Sequence, residues 1–154
     1  MKRTALNELK EWKQRSHRKP LIIRGARQVG KTWLLKEFAR KEYENYAYIN
    51  FEENKSLNTL FISDFDIARI LLSIQIATGI KPEPTKTLII FDEIQEADRA
   101  ITSLKYFYEN APEYHVVAAG SLLGIALHQS TSFPVGKVEF LDLYPLTLPS
   151  VGIT

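Results

Sequence analysis

Apolar residues recur along this chain in two rhythms, helical spacing and short unbroken runs, and the rhythms alternate from the N-terminus onward. Leu6, Leu9 and Trp12 stand among charges at near-helical intervals, which predicts an amphipathic helix over Thr4–His17 that stops before Pro20. The run that follows predicts a first strand over Leu21–Arg24, and a helix is expected to begin at Lys31 and continue through Trp33 to Arg40. Tyr46–Phe51 is aromatic and β-rich and reads as a second strand, while Asn54–Asn58 reads as a loop. Ile67, Ile70, Leu71, Ile74 and Ala77 predict a helix over Phe65–Thr78, with Asp64 and Asp66 near its start, Gly79 as its stop and Lys81–Pro84 after it.

Thr87–Phe91 is almost wholly apolar, the pattern of a parallel strand buried on both faces. Ile101, Leu104 and Tyr108 share one face of a helix predicted over Ala97–Asn110 and closed by Ala111-Pro112. His115–Ala119 is a further apolar strand, Ser121–His128 a short helix, and Val138–Leu143 a fifth strand beyond the turn at Pro134–Gly136. Strands alternating with helices indicate an α/β fold, a three-layer sandwich around a mostly parallel five-stranded sheet.

Composition narrows this picture. The chain has 154 residues, 45% of them hydrophobic, which suits one domain with a real core. Cysteine is absent, so disulfides and thiolate metal sites are excluded, in keeping with a cytoplasmic setting. The uncharged stretches Ile70–Ile80 and Val116–His128 fall short of the roughly 20 apolar residues that span a bilayer, and no membrane association is expected. The basic start leads into an amphipathic segment, not the apolar core of a signal peptide. Net charge is +2, yet Lys2, Arg3, Lys10, Lys13, Arg15, Arg18 and Lys19 crowd the first twenty positions. Glu8 and Glu11 partly offset them, and a solvated helix face is the simpler reading than a phosphate-binding one.

Chemistry concentrates in two places. Gly25-Ala26-Arg27-Gln28-Val29-Gly30-Lys31-Thr32 has two glycines, then Lys and Thr, between a predicted strand and a predicted helix. Glycine at both ends permits backbone angles closed to other residues, so that successive N–H groups turn toward phosphate oxygens. Lys31 would reach the β and γ phosphates, Thr32 offers a hydroxyl to Mg2+, and the helix end through Trp33 adds partial positive charge. The second place is Leu88-Ile89-Ile90-Phe91-Asp92-Glu93, a buried strand that delivers two adjacent carboxylates to its C-terminal edge. Neighbouring strand residues point to opposite sides, so the pair is expected to divide its work. Asp92 is assigned to the Mg2+ shell and Glu93 to the general base for an attacking water. Ser121, after the strand Val116–Gly120, is a weaker candidate for contact with the γ phosphate.

Other features carry less. His17, His115 and His128 are too scattered for a metal cluster and are expected at the surface or at core edges. Tyr43, Tyr46, Tyr48 and Phe51 are explained more simply by strand alternation than by base stacking.

Taken together, Gly25 to Thr32, Leu88 to Glu93 with Ile94-Gln95, Ala119-Gly120-Ser121 and Leu143-Tyr144-Pro145-Leu146 resemble the AAA-type ATPases of the additional-strand, catalytic-glutamate branch of P-loop NTPases. Within them the chain is most similar to a prokaryotic group of predicted ATPases. The resemblance implies that the strand ending at Ser121 lies between the cradle strand and the Asp92-Glu93 strand, with Ser121 as a polar sensor. It implies ATP and Mg2+ as ligands, with ATP favoured over GTP also because no Asn-Lys-x-Asp motif occurs.

In that group the core continues past the LYPL segment, whereas this chain ends at Thr154. One domain over 1–154, with residues 1–19 as an N-terminal helix, is therefore expected to bind ATP and ADP and to hydrolyse slowly. An arginine acting on the transferred phosphoryl is not evident; Arg24, Arg27 and Lys137 are weak candidates. The implied activity is an ATPase core that drives or regulates an attached or partner domain, with protein partners or self-association open. The alternative is an ATP-dependent DNA-binding or regulatory switch with little intrinsic hydrolysis.

Overall fold

The computed structural model describes residues 2–26, 30–121 and 134–143. Five helices' worth of sequence signal resolves into α1 (Lys2–Gln14), α2 (Lys31–Glu42), α3 (Ile67–Thr78) and α4 (Ala100–Asn110) among the described residues; the helix predicted over Ser121–His128 lies outside them beyond Ser121. The strands are β1 (Leu21–Arg24), β2 (Asn45–Asn50), β3 (Thr87–Asp92), β4 (His115–Gly120) and β5 (Glu139–Asp142). They form one sheet in the order β2-β3-β4-β1-β5, and every pairing is parallel. The α/β expectation holds, and so does the place of β4 between β1 and β3.

Alternation along the strands divides the core in two. Ile22, Ile89, Phe91, Val116 and Ala118 face one side with Ile70 and Ile74 of α3 and Ile101, Leu104 and Phe107 of α4. Leu21, Ile23, Leu88, Ile90, Val117 and Ala119 face the other with Leu9 and Trp12 of α1 and Leu34, Leu35 and Phe38 of α2. Because β3 and β4 are buried along their whole length, they are apolar on both faces. Each fully buried Leu, Ile or Phe contributes about 1.5–3 kcal/mol relative to exposure, so these two layers dominate the driving force.

Element ends follow local chemistry. Asp66 caps α3 through a bond from the Ala68 N–H to its Oδ1 at 3.2 Å, which starts the helix two residues later than periodicity alone predicts. Gly79 ends it in the left-handed region at φ 76°, with its N–H on the Gln75 carbonyl at 2.8 Å. The expected loop at 54–58 contains a 3-10 turn, Lys55–Leu57. The helix expected from Ala97 starts at Ala100, because Ile94–Glu96 forms a separate 3-10 turn and Ala97 is extended.

The N-terminal cations are tied into this framework. Lys13 Nζ donates to the Glu42 carbonyl at 2.6 Å and lies 4.0 Å from its carboxylate, Lys10 lies 3.9 Å from the same carboxylate, and Arg15 pairs with Glu139. Arg18 donates to the carbonyls of Lys13 and Pro112 and lies over the Trp12 ring. The expected solvated face is thus in part a docking face. His115 takes the core-edge alternative: it is buried at the start of β4, with Nδ1 2.6 Å from the Tyr43 hydroxyl. Among the described residues no helix is long and apolar enough to cross a membrane.

Candidate active site

The C-terminal ends of β1, β3 and β4 lie side by side, the edge at which open α/β sheets bind ligands. From β1 the chain passes through Gly25 and Ala26 toward Gly30, which sits at φ 89° and ψ 22° immediately before α2. That left-handed angle is open to glycine at little cost. Arg27, Gln28 and Val29 lie outside the described residues.

Lys31 is 6% exposed, and its Nζ donates to the carbonyls of Gly25 and Ala26, each at 2.9 Å. A buried ammonium needs such partners, and here they are the backbone of the loop itself. The cation is therefore stationed inside the turn. Trp33 follows in the first turn of α2 and is 45% exposed.

Thr32 bridges the two chemical centres. Its Oγ1 donates to Asp92 Oδ2 at 2.5 Å, joining the start of α2 to the end of β3. Asp92 is 1% exposed, and its other oxygen accepts the N–H of Glu93 at 2.9 Å. Asp92 faces the α2 side because it shares parity with Leu88 and Ile90, whose side chains pack there. A hydroxyl and a carboxylate in contact offer the hard oxygens that Mg2+ takes. Among the described residues no three His, Asp or Glu side chains gather into a cage.

Sequence reasoning passed over a third partner of Asp92. The Tyr48 hydroxyl, reaching from β2, donates to Oδ2 at 2.6 Å, and Asn50 Nδ2 approaches that hydroxyl at 3.4 Å. Lys36 Nζ lies 4.1 Å from the Tyr48 ring centroid. Burial, reinforced by the bond to Asp92, holds the phenol above its ordinary pKa. Tyr48 pairs in register with Ile90, so it shares the face of Asp92, a relation visible only once β2 is known to lie beside β3.

Glu93 leaves the sheet. Its backbone is left-handed, φ 51° and ψ 50°, so it caps the 3-10 turn instead of continuing the strand alternation. Glu93 thus departs from the pleated alternation that was expected to set it opposite Asp92. Glu93 Oε1 accepts from Gln95 Nε2 at 2.8 Å. Ser121 follows directly on β4, between the ends of β1 and β3, and is partly buried.

The remaining cations named as candidates have partners. Arg24 holds Asp142 through two bonds, 2.7 and 3.1 Å, with its guanidinium 4.0 Å from the Phe140 ring centroid. Lys137 lies 3.2 Å from Glu109. Arg24 is thus a tie between β1 and β5.

A family model described as an AAA domain matches residues 17–151. No curated protein matches the chain.

Proposed function

Since the chain belongs to the AAA domain family, whose members are nucleotide-binding ATPase-like domains, we propose that it is a Mg-dependent ATPase core of the additional-strand, catalytic-glutamate branch. The observation that carries the reading is the contact of Thr32 with Asp92, because it joins the glycine-rich turn and its stationed Lys31 to the strand end that bears Glu93. Residues Gly25 to Thr32 would cradle the triphosphate, with Lys31 turning from the loop carbonyls toward the β and γ phosphates. Trp33 would add its backbone at the positive end of α2. The position of β4 between β1 and β3 supports the branch assignment, and Ser121, directly after β4, would contact the γ phosphate.

Thr32 and Asp92 would hold Mg2+, which when bound neutralises charge on the phosphate oxygens. Glu93 accepts a proton from the attacking water as that water's oxygen bonds to the γ phosphorus and the bond to the β-bridging oxygen breaks, leaving ADP and inorganic phosphate. Turnover by this core would drive or regulate an attached or partner domain. The alternative, a DNA-binding switch, draws less support, since Lys10, Lys13 and Arg15 already face Glu42 and Glu139.

Glu93→Gln tests the enzyme reading. It is expected to keep nucleotide affinity and to lower turnover about tenfold or more, the scale of a lost positioned base. Undiminished turnover would overturn the assignment.

A further inference from the structure

Two adjacent features beyond β3 are locally unfavourable. Glu93 adopts a left-handed backbone at φ 51°, a region that is sterically unfavourable for a non-glycine residue. The next turn, Ile94–Glu96, is closed by the Glu96 N–H on the Glu93 carbonyl at 3.0 Å and anchored by buried Ile94. It brings Gln95 back over the residue that precedes it.

There the amide has one orientation. Facing a carboxylate, it must present its N–H, since the flipped form would set two acceptor oxygens against each other. Gln95 Nε2 accordingly donates to Glu93 Oε1 at 2.8 Å. The consequence falls on the other end: Gln95 Oε1 is buried without a hydrogen-bond partner among the described residues. An orphaned buried acceptor is destabilising, and an apolar residue of similar size would avoid that cost. Strain at Glu93 and an unpaired oxygen at Gln95 have one result in common, a fixed Glu93 carboxylate.

We propose that Gln95 is a positioning residue for Glu93, an inference that rests on the reading of Glu93 as general base. The amide N–H ties down Oε1, selects one rotamer of an otherwise flexible side chain, and leaves Oε2 to accept the proton of the attacking water. Gln95 itself touches neither nucleotide nor metal. Its effect on turnover runs through Glu93 alone.

A double-mutant cycle on the full chain separates this role from a merely structural one. Turnover, nucleotide affinity and thermal midpoint are measured for the wild type, Gln95→Leu, Glu93→Gln and the double variant. Gln95→Leu is expected to lower kcat about tenfold, as loss of orientation does, with nucleotide affinity and thermal midpoint held or the midpoint raised. In the Glu93→Gln background the same change should cost nothing further. Full turnover by Gln95→Leu beside a slowed Glu93→Gln would overturn the Gln95 role alone. An equal loss in both backgrounds, or a matching loss of affinity or thermal midpoint, would do the same. Undiminished turnover by Glu93→Gln would overturn the base reading and this inference with it.

Discussion

Tyr48 and Thr32 donate to the same carboxylate oxygen, Asp92 Oδ2, at 2.6 and 2.5 Å. One oxygen thereby joins β2, β3 and the first turn of α2, and the third donor, the Glu93 N–H, occupies the other oxygen. Asp92 is held from three directions by the protein itself. Charge-assisted bonds of this kind are stronger than neutral ones, and the near-complete burial of Asp92 keeps water from replacing them.

Removal of one donor should therefore be measurable. Tyr48→Phe is expected to lower stability in urea denaturation by about 1–2 kcal/mol, the low side of a bond to a charged group because the phenol is only half-buried. The folded pKa of Tyr48 lies above its unfolded value, so its contribution is complete below the ordinary tyrosine pKa of about 10 and declines as pH rises beyond it. The variant should lose less stability than the wild type between neutral and strongly alkaline pH. Identical alkaline profiles would contradict the linkage.

His115 sets the acid side. Burial, with help from the charges of Arg18 and Lys13, lowers its pKa from 6.5 to about 3. A depressed folded value means that the native state excludes a proton the unfolded chain binds. The stability this group contributes is complete above 6.5 and falls as pH drops toward about 3, at up to about 1.4 kcal/mol per pH unit. His115→Asn should flatten the fall over that window by about one proton, read from urea midpoints at several pH values.

The tie between Arg24 and Asp142 makes a third prediction. Both side chains are partly exposed, which limits the pair, yet its two-bond geometry anchors the edge strand β5 to β1. Asp142→Ala should cost about 1 kcal/mol of stability by denaturation and leave nucleotide affinity unchanged. A loss of affinity would instead place Arg24 in the nucleotide site.

Most of the architecture was legible because burial on both faces leaves an unmistakable pattern. Leu88 to Phe91 and Val116 to Ala119 had to be central strands, and the carboxylates at the end of the first had to reach the sheet edge. Gly30 and Gly79 announced their turns because glycine tolerates positive φ. The features that escaped lacked such signals. Glu93 and Arg99 adopt left-handed angles as ordinary side chains, so neither the 3-10 turn at Ile94–Glu96 nor the later start of α4 had a compositional mark. Tyr48 read as one member of an aromatic alternation. Its bond to Asp92 spans 44 residues and depends on which strand lies next to β2, a choice made by tertiary packing.

In the proposed reading the turn from Gly25 to Thr32 binds Mg-nucleotide through Lys31. Calorimetric titration of ATP into the wild type and Lys31→Ala, each with and without Mg2+, tests it most directly. The wild type should bind one nucleotide, more tightly with Mg2+, and Lys31→Ala should lose about tenfold or more in affinity, the scale of a charge-assisted contact of about 1.5–3 kcal/mol. Wild-type affinity in Lys31→Ala, or no binding by the wild type, would contradict the account.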